Sequence, residues 1–386
     1  MDPYPGLSAR KLPSMPSFAG IDARGERALG PLMARLKRAD CSGPGIRRRR
    51  RGKGFEYLDD DGARVTEPSV LARIRELAIP PAWEEVWICP YPMGHIQATG
   101  TDAAGRKQYR YHDKWRERRD AEKFEEMIDF ARSLPRLREQ VANDLRKRGM
   151  PREKVLAVAM RLLDRGFFRI GSENYAEEND TYGIATMRKR HVSVSGDRVT
   201  FDYEAKGGKR RVQSIGDPEV ARIADTLKKR RGGGSELLAY KVGDRWVDVK
   251  SSDINAYLKE ATGGDFSAKD FRTWSGTVLA AVALAVAGMA SSSKSGRTRA
   301  KSRAVKEVSR YLGNTPAVCR ASYIDPRVFD RFDGGLTIGG ALPELAEDTG
   351  PWPDVQRAVE EAVLDLIADN RESGLVEEGV ELAAVA

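Results

Sequence analysis

The feature that most constrains the fold is a change of hydrophobic period near residue 120. From Phe55 to about Tyr111, short alternating stretches are separated by turn residues. FEYLDDDGARV reads as a strand, an Asp-Gly turn and a strand. SVLARIRELAIPPAW reads as a short helix ended by Pro80 and Pro81, and VWICPYP and HIQATGTDAAGRKQYRY as further strands. From about Asp120 the helical period takes over in AEKFEEMIDFARSLPRLREQVANDLRKRG, with an interruption expected near Pro135. Pro151 then opens a second helix that carries Leu156, Ala159 and Leu163 on one face. Strands in one block and helices in another define an α+β chain. A small β-rich N-terminal domain is followed by a mainly α-helical domain.

One β island interrupts the helical part. HVSVSG and RVTFDYEAKGGKRRVQSIG alternate, with Val199, Phe201 and Tyr203 on one face and a tight turn at Gly207-Gly208. They predict a three-stranded β element. Residues 217–345 read as mostly helix, including the apolar run Val278 to Ala290, too short for a bilayer and suited to a buried core. ASSSKSGRTRAKSRAVKE reads as a basic linker running into a helix, its segment 294–306 suited to lining a polyanion. The expected boundaries are a loosely ordered arm over 1–45 with one short helix in GERALGPLMARLKRAD, the β-rich domain over 46–118, and the helical domain over 119–345. An acidic tail over 346–386 is expected to form a helix packed on the body or a partner, then a frayed end.

The formal net charge of +9 favours a polyanionic partner, nucleic acid first. Five consecutive arginines, Arg47 to Arg51, read as a solvated or phosphate-binding block, because like charges repel. Cys41, Cys89 and Cys319 lie far apart, and His95, His112 and His191 have no metal-ligand spacing, so neither a disulfide framework nor a zinc site is expected. There is no phosphate-binding GxxxxGK[ST] loop and no acidic cluster for two-metal catalysis. The N-terminus lacks an apolar secretion core, so a cytoplasmic protein is expected.

Five dispersed residues carry the candidate chemistry: Arg169, Lys206, Arg272, Asn314 and Tyr323. Tyr323, in RASYIDPR, has Arg320 three residues before it and Arg327 four after. A phenol is a poor nucleophile unless its ionisation is assisted. Arg169 follows two phenylalanines in FFRIGSEN, and a partly buried guanidinium needs an anion, either a carboxylate such as Glu173 or a phosphate. Arg272, in AKDFRTWSG, has Asp270 as the competing partner. Two such arginines can clamp the nonbridging oxygens of a phosphate. Lys206, at a hairpin tip, is either a solvated turn lysine or a proton donor to a leaving oxygen, with Lys209 as its competitor. Asn314, before Thr-Pro, is a turn former that can also donate a hydrogen bond to a phosphate oxygen.

From about Lys53 to Gly340 the chain resembles the type IB DNA topoisomerases, in the compact poxvirus-like form found in bacteria. The resemblance rests on GTDAAGRKQYRY, FRIGSEN with TYGIATMRKRHV, FDYEAKGGK, KDFRTW and YLGNTPAVCRASYIDPRV, in this order. It implies relaxation of supercoiled duplex DNA through a 3′-phosphotyrosyl intermediate, by a monomer at the nucleoid, without ATP, cofactor or metal. It also implies Tyr323 as nucleophile, Arg169 and Arg272 as the transition-state clamp and Lys206 as general acid. Asn314 stands where viral and eukaryotic members carry His, so it implies oxyanion stabilisation without proton transfer. Arg106, Gln108, Tyr109 and Tyr111 match a segment that contacts the major groove. Tyr109 and Tyr111 share a strand face, where packing between sheet and helix is the alternative. Arg47, Arg48, Arg49, Lys209, Lys294 and Arg297 complete the expected DNA contacts. A tyrosine recombinase shares the Arg, Lys, Arg and Tyr chemistry, but the second arginine here has no HxxR box. A non-catalytic architectural DNA-binding protein is the other alternative.

Overall fold

The computed structural model describes residues 35–288, 293–343 and 352–378. The chain divides into two compact units between Arg119 and Asp120. The first holds β1 (Ile46–Arg51), β2 (Gly54–Leu58), α1 (Pro68–Glu76), β3 (Glu84–Ile88), β4 (Ile96–Thr101) and β5 (Lys107–Tyr111). The strands form one antiparallel sheet in the order β2-β1-β3-β4-β5. Ile74 of α1 packs with Ile46, Val86, Ile88 and Ala98 from the sheet. The second strand expected within FEYLDDDGARV is reduced to a single bridge between Leu58 and Arg64. The helix α1 ends at Glu76, ahead of Pro80 and Pro81.

The arginine block is strand β1, and Arg47, Arg49, Arg50 and Arg51 stay exposed on it. Alternation resolves the charge problem, because it sends neighbouring arginines to opposite faces. Arg49 and Arg51 share Glu56 of β2, at 2.7 and 3.4 Å. Arg48 donates to the carbonyls of Ile79, Pro80 and Trp83 and lies over the Phe55 ring. Only Ile46 and Arg47 pair with β3, so the arginine-rich end has β2 alone beside it.

The end of the expected arm is also ordered. Lys37 bonds through its backbone to Met93 and His95, and the Ala39 amide donates to His95 Nδ1. A side chain at Gly45 would strike the Trp87 indole, which donates to the Gly43 carbonyl. Of the short helix expected there, residues 35–40 are not helical, and the part before residue 35 lies outside the described residues.

The division falls inside α2 (Asp113–Leu145), which Pro135 does not interrupt. Proline removes one hydrogen bond and crowds the preceding turn. Here Phe130, Ala131, Leu134 and Leu137 are all buried around it, and their packing outweighs that local cost. Then come α3 (Arg152–Gly166), α4 (Glu173–Asn179), and β6 (Val192–Ser195), β7 (Arg198–Ala205) and β8 (Lys209–Gly216) in a three-stranded antiparallel sheet. Helix α5 (Pro218–Lys229) precedes a hairpin of β9 (Ala239–Val242) and β10 (Arg245–Asp248). Residues 217–345 are otherwise mostly helix, as expected, and this hairpin is an addition to that reading. Its Gly243 adopts φ 57° in the connecting turn, which glycine makes easy.

Helices α6 (Ser251–Thr262), α7 (Ala268–Gly288), α8 (Lys294–Leu312), α9 (Pro316–Ser322) and α10 (Pro326–Asp333) follow. The segment expected as a basic linker is helical from Lys294, with Ser293 accepting from the Gly296 amide as its cap. The end of the apolar run, from residue 289, lies outside the described residues.

The acidic tail is built into the second unit. Helix α11 (Trp352–Ala368) buries Val359, Ala362, Val363, Leu366 and Ile367. A two-residue strand β12 (Glu377–Glu378) then pairs with β11 (Leu336–Thr337). Residues 379–386, where fraying is expected, lie outside the described residues. Glu360 of α11 accepts from the Trp274 indole of α7 and pairs with Arg138 of α2 at 2.6 Å. Arg138 also holds Asp164 at 2.9 Å. Removing the guanidinium leaves two largely buried carboxylates facing each other. Arg138→Ala is therefore expected to destabilise the protein by about 3 kcal/mol, read as a lower midpoint in urea unfolding. An unchanged midpoint would mean the tail is held by its apolar face alone.

Candidate active site

The site is assembled on Phe167, which ends α3 in the left-handed region at φ 53°. A bulky residue rarely adopts that conformation, which here turns the chain away from the helix. Phe168 is then buried against Phe201 and Tyr203 on the inner face of β7. Arg169 comes next. Its carbonyl accepts from the Ile184 amide at 2.9 Å, and the Ile170 carbonyl accepts from Ala185 at 2.7 Å. A Cβ at Gly183 would lie 2.4 Å from the Gly171 nitrogen and 2.6 Å from the Arg169 oxygen. The FRIGSEN and TYGIAT segments are thus two sides of one close backbone contact, and glycine permits it.

Neither expected carboxylate neutralises an arginine of the site. Glu173 accepts from the Ser251 amide and hydroxyl at 2.7 and 2.9 Å, tying α4 to the start of α6. Asp270 accepts from the Ser267 amide and hydroxyl at 2.8 and 3.1 Å, capping α7. Among the described residues, no carboxylate forms an ion pair with Arg169 or Arg272.

Arg272 projects from the first turns of α7 and is only 4% exposed. It donates to the Phe167 and Leu312 carbonyls, each at 2.8 Å, while its Nε is buried without a partner among the described residues. Its guanidinium lies over the Tyr323 ring, 5.2 Å from the centroid. Burial, and then the charge of Arg169, bring the Arg272 pKa down to about 10.

Tyr323 occupies the break between α9 and α10. Thr315 and Pro316 start α9, and Asp325 and Pro326 start α10, so the NTP and YIDPR segments are two helix starts. Below the tyrosine, a Cβ at Gly276 would meet its carbonyl oxygen at 2.5 Å, and Thr277 Oγ1 accepts from the Asp325 amide at 3.1 Å. Burial pushes the Tyr323 pKa up. The charges of Arg272 and then Arg169 more than offset this, and the phenol ends below its ordinary value. Lys269 adds a smaller push in the same direction. Arg320 and Arg327 are turned elsewhere, Arg320 over the Phe329 ring and Arg327 onto Asp325 and Glu125.

Asn314 follows Gly313, which has φ 62°. Arg169 Nη2 donates to its Oδ1, an assignment fixed by chemistry because a guanidinium only donates. The Nδ2 group is therefore turned the other way, where it is buried without a partner among the described residues. A buried donor left unpaired is costly, and such groups commonly await a ligand. The partly buried phenol, two uncompensated cations and one unsatisfied amide donor together suit a tetrahedral oxyanion.

Lys206 and Lys209 flank the tip of the β7–β8 hairpin, both exposed. Lys294 and Arg297 lie in the first turn of α8. In the first unit, Arg106 pairs with Asp102 at 2.8 Å and Gln108 donates to the same carboxylate. The side-chain and backbone bonds of Arg106, helped by the Ala104 amide, hold the Asp102 pKa at about 2. The Tyr109 and Tyr111 rings stack 6.0 Å apart and pack on Trp87, Cys89 and Ile96.

Two residues of the site escape the sequence reading, Lys269 and Arg211. Arg211 of β8 donates to the Tyr311 carbonyl at 2.6 Å. Strand alternation aligns it with the inward-facing Gln213 and Ile215, and that was the available signal.

Residues 112–332 match the family model described as "Eukaryotic DNA topoisomerase I, catalytic core", and residues 54–102 match "Bacterial DNA topoisomerase IB, N-terminal domain". The chain is 32% identical to DNA topoisomerase 1B of Acanthamoeba polyphaga mimivirus over 72% of its own length and 85% of that protein's. It is 25% identical to DNA topoisomerase 1B of Vaccinia virus (strain Copenhagen) over 32% of this chain and 38% of the viral one. DNA topoisomerase 1 beta of Arabidopsis thaliana is 26% identical over 41% of this chain and 16% of the plant protein. The chain belongs to the type IB DNA topoisomerases. Its enzyme class is accordingly that of an isomerase acting on DNA.

The electrostatics make a direct prediction. The ultraviolet titration difference between wild type and Tyr323→Phe should show a phenol ionising below the ordinary value of about 10. Arg272→Gln removes a cation that favours the phenolate, so that ionisation should move to higher pH. A phenol unmoved by the change would show that Arg272 does not govern its charge.

Proposed function

We propose that the protein relaxes supercoiled duplex DNA by transient cleavage of one strand, with Tyr323 as nucleophile. The phenolic oxygen attacks a backbone phosphorus. The bond from phosphorus to the 5′-oxygen breaks, leaving a 3′-phosphotyrosyl link and a 5′-hydroxyl. The DNA beyond the break turns about the intact strand, and attack by the 5′-hydroxyl reverses the step. The phosphotyrosyl link conserves the energy of the broken ester, so the cycle needs neither ATP nor a metal.

The observation that carries this reading is the unpartnered Nδ2 of Asn314 beside the paired cations Arg169 and Arg272. In the pentacoordinate transition state, charge grows on the nonbridging oxygens. Preorganised donors in a site of low polarity stabilise that charge without reorganising. Asn314 supplies a neutral hydrogen bond and no proton. Lys206 donates the proton to the departing 5′-oxygen, which its position at an exposed hairpin tip supports.

Duplex DNA is the partner, bound by a monomer at the nucleoid. Lys209, Lys294 and Arg297 contact phosphates, and Arg106, Gln108, Tyr109 and Tyr111 face the major groove. Of the β1 arginines, Arg47 and Arg49 serve phosphates more readily than Arg48, whose guanidinium is occupied by three carbonyls. Binding weakens steeply with salt as counterions are released.

The wild-type protein is expected to relax plasmid in EDTA without ATP and to leave a covalent adduct on denaturing gels. Tyr323→Phe should do neither, and normal relaxation by that variant would overturn the assignment. Lys206→Ala should slow cleavage by about 100-fold or more. A 5′-bridging phosphorothiolate, which departs without a proton, should restore it. Failure to restore would transfer the acid role to Lys209.

A further inference from the structure

Three guanidiniums from three separate elements grip the turn between α8 and α9. Arg272 of α7 holds the Leu312 carbonyl. Arg169, after α3, holds the Asn314 side chain. Arg211 of β8 holds the Tyr311 carbonyl. The first two belong to the clamp already described. The third does not, and it is half-buried against the turn. A Cβ at Gly313 would lie 2.1 Å from Arg211 Nη1, so the guanidinium rests directly on the backbone before Asn314.

We infer that Arg211 is a positioning residue that sets the Asn314 amide toward the scissile phosphate. Without a donor on the Tyr311 carbonyl, the last turn of α8 loses one of its three guanidinium holds, and Asn314 shifts with it. The reading rests on the proposed oxyanion role of Asn314. Arg211 also has a purely electrostatic neighbourhood that suits the site. Burial lowers its pKa, and the charge of Arg169 lowers it further. Among the described residues no carboxylate pairs with it, so it adds to the site's positive field.

The Gly313 contact adds a constraint. Its φ of 62° disfavours other residues, and any side chain would displace Arg211. The LGN segment is thereby shaped from two sides, by its own backbone and by the β8 arginine.

The test is single-turnover cleavage of a short duplex by wild type, Arg211→Ala, Asn314→Ala and the double variant. Arg211→Ala is expected to lose about 100-fold in cleavage rate, the scale of a 1 Å misplacement. In the double variant the losses should not add, because Arg211 acts through Asn314. Arg211→Lys keeps one donor and should recover most of the rate. It also keeps the test valid if Arg211→Ala folds poorly. A 5′-bridging phosphorothiolate should not rescue Arg211→Ala. Full additivity with Asn314→Ala, rescue by sulfur, or wild-type rates in Arg211→Ala would each overturn the inference. Inactive wild-type protein would instead sink the relaxation reading itself.

Discussion

The structure depends on one short turn. Residues 311–314 span the end of α8 and the turn toward α9, and their polar groups are held by arginines from β8, α7 and the segment after α3. Helix carbonyls at a C-terminus lack intrahelical donors. Here guanidiniums supply them to the Tyr311 and Leu312 carbonyls, and the Asn314 and Gly313 amides supply them to Ser309 and Arg310. The same cations make the pocket positive, so capping a helix and preparing an anion site are one arrangement. Arg272 joins both functions most tightly, with two nitrogens spent on carbonyls and its charge left over the Tyr323 ring.

Glycines set how closely these pieces approach. Gly183 lets the Arg169 segment press against its neighbour, Gly276 lets α7 reach the Tyr323 carbonyl, and Gly313 makes room for Arg211. Each would bring a Cβ within 2.5 Å of another atom if replaced. Two of the three lie within segments that carry the family resemblance, TYGIAT and YLGNTP, and the third follows KDFRTW directly. Backbone proximity, as much as side-chain chemistry, shapes those motifs.

Much of the fold was legible because it follows local rules. The change from period 2 to period 3.6 located the two regions, and the face of Val199, Phe201 and Tyr203 is buried as alternation required. Tyr323, Arg169, Arg272 and Asn314 were recognisable from their neighbourhoods, and the second unit brings these four together. The failures share a cause. Arg47 to Arg51 were not read as a strand because charge was counted along the chain; the strand leaves four of the five exposed and sets Glu56 across from two of them. Pro135 looked like a break because local cost was counted without the core around it. The β9–β10 hairpin was absorbed into a helical region although its Gly-Asp turn was visible. The tail was expected to pack on the body or a partner, but not where, since Glu360 meets Arg138 across 222 residues.

The sequence by itself determined the class of the chain, the candidate groups of the site and the order of the main regions. These follow from residue type, hydrophobic period and short motifs. Tertiary structure decided which partners those groups keep. It gave Glu173 to Ser251 and Asp270 to Ser267, and so left two arginines without carboxylates. It also brought Arg211 to a carbonyl 100 residues away. Burial and pairing are properties of three-dimensional neighbours, and the charge state of a phenol depends on them more than on its place in the chain.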